Sequence, residues 1–537
     1  MYRTGKLIGK IACISLMLFG CEVSNFDLQE NPNYLTPESA DPEYLLNEIQ
    51  YRFQHFMGNM ILNTDDIMRY EAMTDTYPAI VSVGVLDGSS SKEWEGYYEA
   101  LNNSRTISKL AEGDETLLLH NAINKLLVGY MTITMVDYVG KIPYFQAVNP
   151  AEYPNARLDD GDDVYISVLE DIDQAILDIE ASTFKFSTDL FYESDKDKWI
   201  AFAHSLKLRI LVQTRLSSTS IGIVDPVAEI NTLLNGNLID TEDEDFQYTY
   251  ANVVEPESRH PYFQRGYVSD FGQYMGNYFM YLLKDSKSQK DPRIRYYLYR
   301  QAAADPLIIP YNTCMDEPNV VYCYLGEYYR GLDHGESRTG YGDNKERTVY
   351  GLYPAGGAFD EDQFITASKT TTNLNGTGIL PLLTTSFVKF LSAESALTLG
   401  TNGNPAELLE QAIRASMHKV MGFGNIKSPF LATEDSVDAY VEEVLIEYAN
   451  ATTDEERLDI IITEYYLAAF GNSIEAYNFY RRTGYPSNIE VPIDDNNPTF
   501  PRSFPYSADE VEANPFIKQK KNTERVFWDT NPEGFIK

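Results

Sequence analysis

The sequence predicts a mainly α-helical protein with an irregular, aromatic-rich middle. Apolar residues recur at helical spacing between about residues 43 and 213, and again between about 386 and 470. Between about 235 and 380 that rhythm gives way to Gly, Asn, Asp, Pro and Tyr. No apolar run reaches the roughly 20 residues that a membrane-spanning helix needs.

The chain opens with Arg3, Lys6 and Lys10, then a short apolar run over residues 11–19, closed by Gly20 and Cys21. A basic start, a short apolar core and a small residue before the cut describe an export signal. Leu18-Phe19-Gly20-Cys21 resembles the lipobox of bacterial lipoproteins, with Phe19 bulkier than usual. That resemblance implies cleavage after residue 20 and lipid on Cys21. Residues 21–42 are polar and rich in Pro and Asn, as a tether would be.

The body begins with a helical stripe of Tyr44, Leu45, Ile49, Phe53, Phe56 and Met60. Helices follow over 92–110 and 116–139. In the second, Leu119, Ala122, Ile123, Leu126, Leu127 and Tyr130 form one face, and His120, Asn121, Asn124 and Lys125 the other. Residues 164–179 repeat the pattern. Residues 198–213 put Trp199, Phe202, Ala203, Leu206 and Ile210 inward. Consecutive amphipathic helices joined by loops suggest helix pairs. Further helices are expected over 386–399, 405–421, 437–449 and 453–470, with a loop-like end. The division that follows is signal 1–20, lipidated tether 21–42, helical scaffold 43–234, irregular region 235–380, and closing helices and loops 381–537.

The formal net charge is −37, from 80 acidic and 43 basic residues. Such a surface repels phosphate backbones and disfavours nucleic acid and other anions. Neutral ligands remain. There are 40 Tyr and 26 Phe but 3 Trp, and Tyr combines an apolar face with a hydrogen-bonding edge. Enzyme signatures such as H-E-x-x-H, G-x-S-x-G and a Walker A loop are missing from the mature sequence. No catalytic residue, metal or cofactor is assigned. The acidic run Asp159-Asp160-Gly161-Asp162-Asp163 lacks the alternating ligands of an EF-hand and reads as a solvated loop. Cys314 and Cys323 are close in sequence in an exported chain, which leaves a disulfide and two free thiols both open.

Several segments taken together resemble one family. Asp137-Tyr138-Val139-Gly140-Lys141-Ile142-Pro143-Tyr144 is similar to its D-x-x-G-D-I-P-Y turn. Lys198-Trp199 with Phe202 to Arg209 is similar to its KW-x-KFANSLRLR helix, and Glu394-Ser395-Ala396 to its AEA helix. Glu475-Ala476-Tyr477 with Arg481-Arg482-Thr483-Gly484-Tyr485-Pro486 resembles EAW…RRTGYP. Phe500-Pro501-Arg502 with Tyr506, Glu510 and Asn514 resembles its closing segment. The chain departs from the pattern at Lys141, His204, Tyr477 and Ser503. On these motifs the chain is identified as a member of the SusD/RagB family of outer-membrane nutrient-binding lipoproteins. The resemblance implies a SusD-like fold of four tetratricopeptide-like helix pairs carrying an irregular ligand-binding region. It implies a lipid-anchored protein on the outer face of the outer membrane, partnered with a SusC-type TonB-dependent transporter. Its ligand would be an oligosaccharide or peptide, and it would not be an enzyme. A surface glycoside hydrolase and a helical scaffold without a ligand are the alternatives.

Physically, the family motifs look structural. Trp199 and Phe202 should fill the core, and Arg209, Arg481 and Arg482 should form buried ion pairs. Ligand contacts are expected in the irregular regions, where aromatic platforms stand beside polar groups. The candidate platforms are Tyr77, Tyr262, Phe263, Tyr267, Tyr311, Tyr322 and Tyr324, with Asp75, Arg265 and Asn312 as polar partners. The lipid expectation has a direct test: Cys21→Ala should abolish metabolic labelling by fatty acid, and a variant that labels like wild type overturns the anchor.

Overall fold

The computed structural model describes residues 40–72, 90–269, 274–303, 322, 324–335, 345–492 and 500–536. The signal, Cys21 and nearly all of the tether lie outside them. Helix α1 (Pro42–Asp65) starts with the Asp41 side chain accepting from Glu43 N, and Pro42 fills its first turn. Such caps satisfy backbone N–H groups that have no partner inside the helix. Leu46, Ile49, Phe53, Phe56 and Met57 are buried, whereas Tyr44, expected on the same stripe, is 74% exposed. A short strand β1 (Glu71–Ala72) follows.

Helices α2 (Ser90–Leu110), α3 (Leu118–Val139), α4 (Gly161–Ala181), α5 (Lys196–Gln213) and α6 (Pro226–Leu234) each pack on the next in sequence. α4 has the predicted form, with Val164, Val168, Ile172 and Ala175 buried and Glu170 and Asp173 exposed. α3 does not. It also packs against α1, so it is enclosed on almost every side. His120 and Asn124, expected to face solvent, are buried. The Asn124 amide donates to Ser104 O on α2 at 3.4 Å, and Asn121 Oδ1 accepts from Ser108 Oγ at 2.8 Å. The polar stripe of α3 therefore faces another helix.

The middle of the chain is built from short ladders. Strand β2 (Phe246–Thr249) pairs antiparallel with β6 (Ile379–Leu383), β1 with β3 (Tyr274–Met275), and β4 (Leu298–Tyr299) with β5 (Val349–Tyr350). Helix α7 (Asn277–Lys284) lies between β3 and β4 in sequence. The closing helices are α8 (Thr385–Leu399), α9 (Pro405–Gly422), α10 (Glu434–Asn450), α11 (Asp454–Ala468), α12 (Ser473–Thr483) and the short α13 (Ala508–Ala513). α8 packs on α9, α11 and α5, and α12 packs on α1, so both ends of the chain share one core. α12 ends at Gly484 in the left-handed region, φ 79°, a conformation that costs glycine little. No helix among the described residues is long and apolar enough to cross a membrane.

The charged motif residues meet inside this core. Asp137, fully buried on α3, accepts from Trp528 Nε1 at 2.8 Å, from Asn478 Nδ2 at 2.9 Å and from the Tyr165 hydroxyl. Arg209 of α5 approaches it at 3.6 Å and pairs with Glu475 of α12 at 2.5 Å. Burial pulls the Arg209 guanidinium down, but Glu475, Tyr130 and Asp137 hold it well above its ordinary value. Arg482 pairs bidentately with Glu394, at 2.8 and 2.6 Å, and Arg215 joins at 3.3 Å. Arg209 and Arg482 thus form the expected buried ion pairs. Arg481 departs from the expectation. Its guanidinium lies over the rings of Tyr477 and Trp528, at 3.7 and 4.6 Å, and donates to Arg502 O at 2.8 Å. Trp199 and Phe202 are fully buried, as expected.

Removing one partner of such a network leaves a buried charge uncompensated, at about 3–5 kcal/mol. Asp137→Ala should lower the unfolding free energy from denaturant titration by that order, whereas Leu177→Ala, at a position 58% exposed on α4, should stay within about 0.5 kcal/mol of wild type.

Candidate functional site

The described parts of the irregular region converge beyond the end of α1. Glu71 and Ala72 pair with Met275 and Tyr274. Gly276 bridges to Leu332, and Asn277 N donates to Leu332 O at 2.8 Å. The approach is close: a Cβ on Gly276 would lie 2.2 Å from Arg69 O, so only glycine fits. The β4–β5 ladder joins through Gln301, whose amide donates to Arg347 O at 2.8 Å, and through Arg330 N, which donates to Thr348 Oγ1 at 2.8 Å.

Beneath this surface lies a cluster of buried charge. Asp65 and Asp66 end α1, Glu71 lies on β1, and Arg265 belongs to the turn of π-helix over residues 264–268. Arg265 pairs with Glu71 at 2.8 Å, its side chain 28% exposed and that of Glu71 1%. The Tyr262 hydroxyl donates to Asp65 Oδ2 at 2.8 Å. Three carboxyls face one guanidinium, so burial dominates. It pushes Asp65 up to about 7, although hydrogen bonds from Tyr262 and Ser473 and the charge of Arg265 oppose it. It pushes Asp66 up to about 6 and Glu71 well above the carboxylate range. Burial lowers Arg265, but Glu71, Asp66 and Asp65 outweigh it and raise the guanidinium above its ordinary value. Among the described residues no three His, Cys, Asp or Glu side chains are arranged to hold a metal ion.

The predicted site residues divide into three groups. Asp75, Tyr77, Tyr311 and Asn312 lie outside the described residues, as do Cys314 and Cys323. Tyr262, Phe263 and Tyr267 are in the core, 1%, 1% and 5% exposed. Tyr262 stacks on Tyr350 at 4.3 Å, and Phe263 stacks on Tyr267 at 5.0 Å. The Tyr267 hydroxyl donates to Tyr350 O and accepts from Ala358 N. These rings have no free face, which corrects the expectation that they stand as platforms. Arg265, Tyr322 and Tyr324 remain half-buried. Tyr322 lies 4.8 Å from Tyr281 of α7, interplanar angle 33°, and its N–H donates to Asp333 Oδ2 at 3.1 Å. The Tyr324 hydroxyl accepts from Tyr328 N at 2.9 Å.

Three further aromatic residues are not among the sequence candidates. Tyr281 lies in the region expected to be irregular, yet it sits on helix α7, is half-buried and pairs with Tyr322. Tyr328 and Phe364 meet edge to face at 5.1 Å, with Arg300 over Phe364 at 5.3 Å. Tyr328 at positive φ, 68°, was a findable signal only once the backbone was known. What the described residues present is a pair of half-buried tyrosines, Tyr281 and Tyr322, with Tyr324 and Tyr328 nearby in sequence, and separately the part-exposed Arg265 over its buried acids. That suits recognition of an amphipathic ligand by ring faces and hydroxyl edges.

Comparison with known proteins bears on the family and the fold. The model of a SusD-like family, described as starch-binding and associating with the outer membrane, matches residues 32–507. Among curated proteins nothing matches. Among solved structures, a SusD homolog from Bacteroides fragilis is 19% identical with a TM-score of 0.67, covering 92% of this chain and 100% of its own. A chitin-binding SusD homolog from Flavobacterium johnsoniae is 20% identical with a TM-score of 0.65, covering 91% and 99%. A SusD/RagB family protein from Bacteroides thetaiotaomicron is 18% identical with a TM-score of 0.67, covering 92% and 100%.

The acid cluster makes a signed prediction. A carboxyl raised in the folded state binds its proton more tightly there than in the unfolded chain, so its contribution to stability falls as pH rises between the two values. For Asp65 that window runs from about 4, the unfolded value, to about 7. The melting temperature of Asp65→Asn relative to wild type should therefore rise across pH 4 to 7 and level off above. A difference that stays constant with pH would show that Asp65 is ionised throughout.

Proposed function

The chain belongs to the SusD-like family, and from that premise we propose that it is a cell-surface binding lipoprotein that captures oligosaccharide or peptide nutrients and delivers them to a SusC-type TonB-dependent transporter. The observation that carries this reading is the family match over residues 32–507. The family's description, starch-binding and outer-membrane-associating, supports a glycan ligand and an outer-membrane location. Two chitin-binding proteins among the similar structures support the same ligand class. The net charge of −37 agrees with a neutral ligand. Lipid on Cys21 would hold the protein on the extracellular face. In this reading the helices over 43–234 and 381–537 form the scaffold, and the region 235–380 carries specificity.

The ligand would lie against Tyr322, Tyr324, Tyr281 and Arg265, with Asp75, Tyr77, Tyr311 and Asn312 supplied by the loops before and after. A tyrosine face packs on the C–H surface of a sugar ring while amide and hydroxyl groups take its hydroxyls. A hydrolase reading would need a carboxyl open to substrate. The carboxyls pushed up at the end of α1, Asp65, Asp66 and Glu71, are all buried, which supports a structural role for them.

Calorimetric titration with maltoheptaose and chitohexaose tests the binding reading. Tyr322→Ala should weaken the bound oligosaccharide about tenfold, the equivalent of about 1.4 kcal/mol, with the melting temperature within a few degrees of wild type. Release of shorter products during incubation would favour the hydrolase. A tagged chain should copurify with a TonB-dependent transporter in mild detergent, and recovery of the chain alone under several detergents overturns the partner.

A further inference from the structure

A cleft of about 970 Å³ opens between α2, the turn over residues 143–156 and α13, and none of the predicted site residues lines it. Its volume falls within the range of about 300–1,000 Å³ usual for small-ligand sites. Tyr98 on α2 and Tyr153 on the turn line the cleft half-buried, and Trp94, one turn before Tyr98 and 7% exposed, reaches its wall with only an edge. The aromatic side chains are fixed in place. Trp94 Nε1 donates to Glu510 Oε2 at 3.2 Å, the Tyr98 hydroxyl donates to Pro143 O at 2.9 Å, and the two rings lie 5.4 Å apart.

Around them stand side-chain amides. Asn102 and Asn103 lie further along α2, and Asn149 and Asn155 lie on the turn. Asn149 donates to Glu152 at 3.2 Å. The amides of Asn102, Asn103 and Asn155 make no hydrogen bond within the described residues. An amide offers donors and an acceptor from one planar group, which matches adjacent sugar hydroxyls. Charge narrows the ligand further. Glu95, Glu99, Asp509 and Glu510 line the cleft against one cation, Arg52. Arg52 is already paired with Glu48 at 2.7 Å and with Glu99. An anionic ligand would meet uncompensated carboxylates.

We infer that this cleft is a second saccharide-binding site, separate from the tyrosine-lined face, which takes a neutral oligosaccharide through the Trp94–Tyr98–Tyr153 surface and the free amides of Asn102, Asn103 and Asn155. The ligand class rests on the glycan reading above, whereas the location rests on the cleft itself. Two sites on one chain would hold a polymer at two points, so that release from one leaves it tethered by the other and its local concentration high.

The protein carries its own reporter. Of its 3 tryptophans, Trp199 and Trp528 are 0% and 1% exposed, and Trp94 is the one that lines the cleft. The mature chain would be titrated with maltoheptaose, chitohexaose and pentalysine while tryptophan emission and heat are both recorded. The expected result is a saturable emission change with one of the neutral oligosaccharides. It should vanish in Trp94→Phe while heat is still released. It should shift at least tenfold to higher ligand concentration in Asn102→Ala/Asn103→Ala, and likewise in Asn155→Ala, which alters the opposite wall. Tyr322→Ala, on the other face, should leave the emission titration unchanged. Heat of oligosaccharide binding without any emission change overturns the cleft and leaves the glycan reading standing. No heat and no emission change with either oligosaccharide overturns both. An emission change with pentalysine alone overturns the saccharide assignment in favour of a basic peptide.

Discussion

Asp137 is the group on which the fold depends most. It is a carboxylate without solvent contact, and such a group is tolerable only when donors surround it. Its donors come from the whole chain: Tyr165 on α4, Asn478 on α12, Trp528 near the C-terminus, and the more distant Arg209 on α5. Each lies on a separate element, so the carboxylate is satisfied only when all of them are in place. The Arg209–Glu475 and Arg482–Glu394 pairs repeat the arrangement between α5, α8 and α12. Apolar packing alone would accept many registers among these helices. A buried charge with fixed donors accepts one.

The same economy of position explains the irregular region. Its ladders are two to five residues long and could not stand alone in water. They are held by aromatic side chains that reach back into the helical core. Tyr262 stacks on Tyr350 and reaches Phe470, while Tyr70 stacks on Tyr466 at 4.5 Å. Most of the tyrosines that make this chain look like a carbohydrate binder are therefore packing residues. Among the described residues of the irregular region few half-buried rings are left to meet a ligand, and a mutation among the buried ones would change binding by disturbing the packing around the site.

The charge cluster of Asp65, Asp66, Glu71 and Arg265 links the two parts. It lies where the last turn of α1 meets β1, which pairs with β3 of the irregular region. Excess carboxyl over guanidinium in a buried setting favours protonation, which makes this junction responsive to pH. The aromatic cleft at α2 has the opposite character. Two of its rings are anchored by hydrogen bonds to Glu510 and to the Pro143 carbonyl, and the amides of Asn102, Asn103 and Asn155 make no hydrogen bond within the described residues.

The helices were legible because burial on one face leaves a period in the sequence. α4 follows that period nearly to the residue and α1 does so after Tyr44, whereas α5 buries its predicted stripe and most of its other faces as well. The motif arginines Arg209 and Arg482, set among acids, form the ion pairs that their chemistry demands. The family was legible too, since its motif residues build the shared core. Three features were decided by tertiary structure. α3 is buried on its polar face because α2 supplies partners for Asn121 and Asn124, a fact about a neighbour and not about α3. Arg481 rests on Tyr477 and Trp528 in place of a carboxylate, which depends on a residue 47 positions away. Tyr262, Phe263 and Tyr267 are core and Tyr322 is not, because Tyr350 and Ala358 fold back over the first three. A loop tyrosine has the same local sequence signal whether or not a distant segment covers it. Periodicity reports the face a residue shares with its own helix, and exposure in a loop is set by contacts that sequence spacing does not encode.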